Sequence, residues 1–184
     1  MQRAEIPLII TLGTLSSLGV GLLGPVYPIF VVNRFSASIV DVGLLAAVFS
    51  LTAAIFKTPA GRLVDLYGKE KIFFAGVMAG AVCSLSYVFA FDLMQLYIIE
   101  FFFGVAYGLQ SPARLLLMVD ISEKGKRGLF FGIFESAYDI AGAVAALLSV
   151  AIVSTLGFEP LFFICSGCQA TTGFFVLKSR NTSH

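Results

Sequence analysis

Three acidic side chains lie inside long apolar stretches of this sequence. Glu135 and Asp139 are four residues apart in the stretch 128–156, and Glu100 lies in the stretch 93–118. A charged side chain at the centre of a bilayer costs roughly 2.5 to 3.5 kcal/mol on insertion scales. A carboxyl in that setting can exchange a proton or attract a cation. These three acids are therefore the first candidates for a functional role.

The acid pair belongs to a stripe of small or polar residues that recurs every three or four positions. Its members are Gly128, Gly132, Glu135, Asp139, Gly142 and Ala146. We expect this stripe to face the protein interior rather than lipid, and repulsion between the two carboxyls favours a proton on at least one. A structural alternative stays open, in which the pair is neutralised by an ion pair with Arg114.

The elements that must position these acids are membrane helices. The chain of 184 residues is 58% hydrophobic and 12% charged, with a mean hydropathy of +0.95. About 20 apolar residues are needed to cross the hydrocarbon core as a helix. Six predicted spans meet this length, at 6–32, 38–56, 72–91, 93–118, 128–156 and 160–177. The first run is too long for a typical signal peptide, so we expect it to be retained.

The basic residues alternate between the two ends of these spans. One side carries Arg3, Lys57, Arg62, Lys69, Lys71, Lys124, Lys126, Arg127, Lys178 and Arg180, whereas the other side carries Arg34. Lysine and arginine near the ends of spans mark the cytoplasmic side. The pattern predicts a multi-pass protein of the cell membrane with both termini in the cytoplasm.

The segment PAGRLVDLYGKEK, residues 59–71, is the loop predicted between spans 2 and 3. We expect Pro59 and Gly61 to end the preceding helix and Gly68 to take a positive φ in the turn. The glycines, Asp65 and Lys69 resemble the loop motif between spans 2 and 3 of the major facilitator superfamily. Leu66 and Glu70 depart from that motif, because bases are usual at their positions.

A second stretch resembles the connection between spans 4 and 5 of the same family. It contains Asp120, Arg127, Gly128 and Gly132 at the family's spacing, and GLLGPVYPIF in span 1 resembles the family's first helix. The resemblance covers almost the whole chain. It implies an all-α polytopic membrane protein, a single six-span domain over residues 1–184, that forms half of a major facilitator fold from two inverted three-helix repeats.

The resemblance also implies a cytoplasmic latch that holds two transporter halves together. Its residues here would be Gly61, Asp65, Gly68, Lys69, Asp120 and Arg127. An alternative for the bases is purely topological, since they also hold the loop inside. Glu100 stands where the family's span 4 commonly has an arginine, so a titratable group is kept with its charge reversed.

The sequence thus predicts secondary active transport of a small molecule by alternating access, linked to protons through Glu135, Asp139 and Glu100. A second six-span half or a homodimer would complete the pathway within the lipid bilayer. The alternative is a truncated, non-transporting membrane module that binds a partner or is an inactive remnant. No enzyme, cofactor, metal site or nucleic-acid partner is expected, because Cys165 and Cys168 lack a nearby histidine or acid and the net charge is +1. An intramembrane hydrolase lacks a supporting histidine or metal constellation.

Overall fold

The computed structural model describes residues 11, 14–122 and 125–181, and these are almost entirely helical. A helical stretch at 14–21 is followed by turns at 22–26. The helices after it are α1 (Tyr27–Phe35), α2 (Ile39–Tyr67), α3 (Lys69–Ser86), α4 (Leu93–Ile121), α5 (Arg127–Leu156) and α6 (Glu159–Asn181). A short 3-10 helix, Tyr87–Phe89, extends α3. The all-α class is confirmed for the described part of the chain.

Five of the described helices, α2 to α6, are long and apolar enough to cross a membrane. The described part of the first predicted span is interrupted, because turns at 22–26 separate the stretch 14–21 from α1. Gly24 and Pro25 lie in this interruption, and proline lacks the N–H that a continuous helix would use. Residues 6–10 of that span lie outside the described residues. Six crossings therefore stay a prediction.

The predicted end of span 2 is wrong. Helix α2 continues through Pro59 and Gly61 as far as Tyr67. Proline removes one backbone hydrogen bond, but Ala60 and Val64 after it are buried, so packing of the extra turns favours the helix. The charged segment is thus mostly the last turns of a helix rather than a loop.

Gly68 makes the whole connection between α2 and α3. Its φ is +91°, which confirms the predicted positive φ, and its N–H donates to the carbonyl of Val64 at 2.9 Å. The next residue, Lys69, already begins α3. Glycine fits here because this backbone conformation is strained for residues with a Cβ.

Two clusters of buried side chains hold the helices together. One, at the predicted outer end, includes Phe30, Tyr87 and Phe162. The other, at the predicted cytoplasmic end, includes Phe73 and Phe134. Helix α4 packs closely on α2 and α3, and α3 also packs on α6.

Glycines allow the closest of these helix approaches. A Cβ added to Gly104 of α4 would lie 2.6 Å from the carbonyl oxygen of Phe49, and one added to Gly108 would lie 2.9 Å from the Cβ of Phe56. Small residues four positions apart are typical of close helix packing in membranes. This pair therefore fixes the distance between α2 and α4.

Candidate functional site: a buried carboxyl in an aromatic cavity

Glu100 lies two turns into α4 and is only 5% exposed. The hydroxyl of Tyr87, itself 1% exposed, donates to Oε1 of Glu100 at 2.7 Å. The two residues come from opposite sides of the short connection between the 3-10 helix and α4. A buried carboxyl is tolerated when it is hydrogen-bonded, and this bond supplies part of that compensation.

The Glu100 carboxyl borders a cavity of about 250 Å³. Its wall consists of Val20, Leu23, Gly24, Tyr27, Pro28, Val42, Ala46, Phe49, Tyr87, Glu100 and Phe103. We call this space the Glu100 cavity. Apolar and aromatic side chains make most of its wall, and a few polar atoms converge on it, which is the usual character of a small-molecule site.

The interruption of the first helical segment lies directly beside the Glu100 cavity. Leu23 and Gly24 from the turns and Tyr27 and Pro28 from α1 all contribute to its wall. Irregular backbone at membrane depth is tolerated where it is buried in protein or lines a cavity. The break at 22–26 is therefore part of the construction of this cavity.

Tyr27 brings a second hydroxyl to the same region. Its ring centroid is 5.5 Å from that of Tyr87. The Tyr27 hydroxyl oxygen is buried and has no hydrogen-bond partner among the described residues. A buried hydroxyl normally finds a partner, and the Glu100 carboxyl and the Tyr87 hydroxyl are the polar groups beside this one, so a small rotation of the ring would satisfy it within the protein.

Glu135 and Asp139 lie elsewhere, on an exposed face of α5. The buried face of that helix carries Phe130 and Phe134, which pack in the cytoplasmic cluster. Within this chain, the acids therefore do not face the packed interior as expected. Burial of two phenylalanines is more favourable than burial of two carboxyls, and this difference decides the rotation of the helix.

The ion pair considered between Arg114 and these acids is not formed. The guanidinium of Arg114 lies over the ring of Tyr138, 5.5 Å from its centroid. Among the described residues, no ion pair joins Arg114 to Glu135 or Asp139. A cation–π contact with α5 takes the place of the predicted pairing.

The structure brings four of the six latch residues together at the cytoplasmic end. Lys69 forms an ion pair with Asp120, and its Nζ is 3.6 Å from Oε1 of Glu70. Asp65, Gly68, Lys69 and Asp120 line a cavity of about 150 Å³. The other two latch residues are not part of its wall: Gly61 lies nearly two turns before Gly68 in α2, and Arg127 begins α5.

We expect the Lys69–Asp120 ion pair to contribute little to stability. Lys69→Gln and Asp120→Asn should each cost at most about 1 kcal/mol, because the Asp120 side chain is 56% exposed and solvent screens the pair. The double variant should cost no more than either single variant. Thermal unfolding in detergent measures this, with Lys71→Gln as the matched control, since Lys71 has no ion pair among the described residues. Additive losses would contradict a direct interaction.

Four aromatic residues of the Glu100 cavity were not identified from the sequence as functional. Tyr27, Phe49, Tyr87 and Phe103 come from α1, α2, the 3-10 helix and α4. Tyrosine and phenylalanine in apolar stretches look like ordinary packing residues. The only available signal was a tyrosine hydroxyl at membrane depth, which needs a polar partner.

Comparisons with known proteins show what the chain is similar to. The sequence model described as Major Facilitator Superfamily matches residues 9–182. An uncharacterized MFS-type transporter of Methanocaldococcus jannaschii is 26% identical over 148 residues, which cover 80% of this chain and 38% of the relative. Citrate exporter 1 of Yarrowia lipolytica is 26% identical over 68% of this chain and 19% of the exporter. Multidrug resistance protein MdtG of Escherichia coli is 29% identical over 68% of this chain and 31% of MdtG. The matched part of this chain thus spans well under half the length of each of these relatives.

Proposed function

The chain belongs to the major facilitator superfamily, whose model matches residues 9–182, and we propose that it carries a small molecule across a membrane by alternating access. It is a multi-pass membrane protein and not an enzyme, as its relatives named as transporters indicate. The observation that carries the proposal is the burial of Glu100 in a cavity at membrane depth. A polar group held there is costly and is typical of substrate or ion pathways.

We further propose that a second six-helix half completes the pathway, either in the same polypeptide or in a partner chain. The exposed face of α5 supports this, because Glu135 and Asp139 would be costly against lipid. Docking of a second half on this face would place both acids in a central, hydrated space. The latch cluster around Lys69 and Asp120 would then meet the second half at the cytoplasmic end.

Glu135 and Asp139 are our proposed coupling pair. They lie one helical turn apart on the exposed face of α5, so two negative charges there repel each other. Proton uptake at this pair would change the charge of the face that meets the second half. That change would favour one of the two access states and so link transport to a proton gradient.

The test is transport by the full polypeptide in proteoliposomes at two external pH values. Citrate and the fluorescent drug ethidium serve as probes, because two relatives are named for citrate export and multidrug resistance. We expect an imposed pH gradient to change the flux of one probe. Glu135→Gln and Asp139→Asn should reduce this flux or remove its pH dependence, since the carboxylate charge is lost while size is kept.

The control for the coupling test is Glu159→Gln, the same exchange at the outer end of the bundle, where Glu159 pairs with Arg34 at 3.8 Å. Its flux and pH response should match those of the unmodified protein. Mass measurement in lipid nanodiscs shows whether two halves have assembled in each variant. Unchanged flux and pH response in the double variant Glu135→Gln/Asp139→Asn would sink the coupling proposal.

A further inference from the structure

We infer that the Glu100 cavity binds a small organic cation, an ammonium group on an aromatic or aliphatic body. The inference rests on the proposed transport function, because it names the chemical class of molecule that the same site would take. Two features of the cavity lead to this class: its charge and its aromatic wall.

The charge of the cavity wall favours a cation. Among the described residues that line the cavity, Glu100 is the one carboxyl, and none is a lysine, arginine or histidine. An anion would enter a space of low polarity without a positive partner and beside a carboxyl. A cation instead supplies the opposite charge that a buried carboxylate needs. Each ion then offsets the desolvation cost of the other.

The aromatic wall of the cavity also favours a cation. The Phe49 and Phe103 rings are 5.8 Å apart, Phe103 is 6.3 Å from Tyr87, and Tyr87 is 5.5 Å from Tyr27. Successive rings in this set of four are in contact with each other, and all four line the same cavity as the carboxyl. A cation within about 6 Å of a ring centroid is attracted by the ring face, most strongly when water is excluded.

The carboxyl favours an ammonium with N–H groups over a quaternary cation. The Tyr87 hydroxyl donates to Oε1 of Glu100, and a carboxylate accepts more than one hydrogen bond. A primary ammonium has three donors. One of them can bind the carboxylate while the apolar body occupies the rest of the 250 Å³.

The experiment is equilibrium binding to the full polypeptide in nanodiscs, with three probes that share a phenyl ring. These are 2-phenylethylammonium, neutral 2-phenylethanol and anionic phenylacetate. We expect saturable binding of the ammonium, at least about tenfold tighter than that of either other probe, which corresponds to about 1.4 kcal/mol. Absence of ammonium binding, or equal binding of the three probes, would overturn the inference.

Variants assign the binding to this cavity. Glu100→Gln should weaken ammonium binding at least about tenfold, because it removes the charge and nearly preserves the shape. Phe49→Leu, which removes one ring of the wall, should weaken it by a smaller factor, and Glu159→Gln outside the cavity should leave it unchanged. Retained affinity in well-folded Glu100→Gln protein would overturn the inference.

Phe103→Leu keeps the test decisive if the Glu100 variant fails to fold. Loss of one ring should weaken binding of the ammonium several-fold, and unchanged affinity in both Phe103→Leu and Phe49→Leu protein would then overturn the inference. Binding is measured without transport, so the two proposals fail separately. Intact ammonium binding with no proton-dependent flux contradicts the coupling proposal, whereas proton-dependent flux without ammonium binding contradicts the cation site.

Discussion

Replacement of Gly104 by valine is expected to lower the melting temperature of the protein in detergent by roughly 3 to 10 °C. The added Cβ would lie 2.6 Å from the carbonyl oxygen of Phe49 and 2.8 Å from the Cβ of Thr52. Both are atoms on or next to the backbone of α2, so no side-chain rotation relieves the contact. The two helices must separate, and the packing that they share is lost.

The matched control for Gly104 is Gly43→Val in α2. A Cβ added there meets no heavy atom within 4 Å, although the position is also helical. The valine should therefore leave the melting temperature nearly unchanged or raise it slightly, since glycine is the poorer helix former. Equal melting temperatures for the two valine variants would show that α2 and α4 are not held at the observed distance.

Removal of the Tyr87 hydroxyl is the second substitution with a large expected effect. Tyr87→Phe keeps the ring, which packs on Phe30 and Phe162, and deletes only the donor to Glu100. Removal of one partner of a buried hydrogen bond costs about 1 to 3 kcal/mol, because the remaining polar group is left unsatisfied. We expect the melting temperature to fall by roughly 3 to 10 °C.

A double-mutant comparison separates this hydrogen bond from other effects. In the Glu100→Gln background, Tyr87→Phe should cost about half as much, because a neutral acceptor forms a weaker hydrogen bond than a carboxylate. Tyr67→Phe is the control, since Tyr67 is exposed at the end of α2. An equal cost of Tyr87→Phe in both backgrounds would contradict a charge-assisted bond.

Helix positions were largely accessible from hydropathy, whereas irregular backbone was not. The predicted start of span 4 at residue 93 coincides with the start of α4, and the predicted span 128–156 differs from α5 by one residue. The rule that proline ends helices failed at Pro59, because burial of Ala60 and Val64 offsets the lost hydrogen bond. Local propensity says nothing about that burial.

The candidate site was predictable only where one residue carried the signal. The cost of an acid at membrane depth pointed to Glu100 without any knowledge of its neighbours. Its hydrogen-bond donor Tyr87 and the neighbouring Tyr27 come from other segments of the chain. Their proximity to Glu100 therefore depends on the tertiary arrangement. Periodicity likewise placed Glu135 and Asp139 on one face of α5, but it does not say whether that face points to the core of this chain or away from it.

The single-residue connection at Gly68 has a mechanical consequence. Helix α2 is about 43 Å long at 1.5 Å per residue, and no spare chain separates its last turn from the first turn of α3. The end of α2 and the start of α3 must therefore move together, although the two helices can still pivot about the φ and ψ angles of Gly68, since glycine is the least restricted residue. A rocking motion of this bundle would thus keep the two helix ends together and change the angle between them at Gly68, whereas five residues, 122–126, separate α4 from α5.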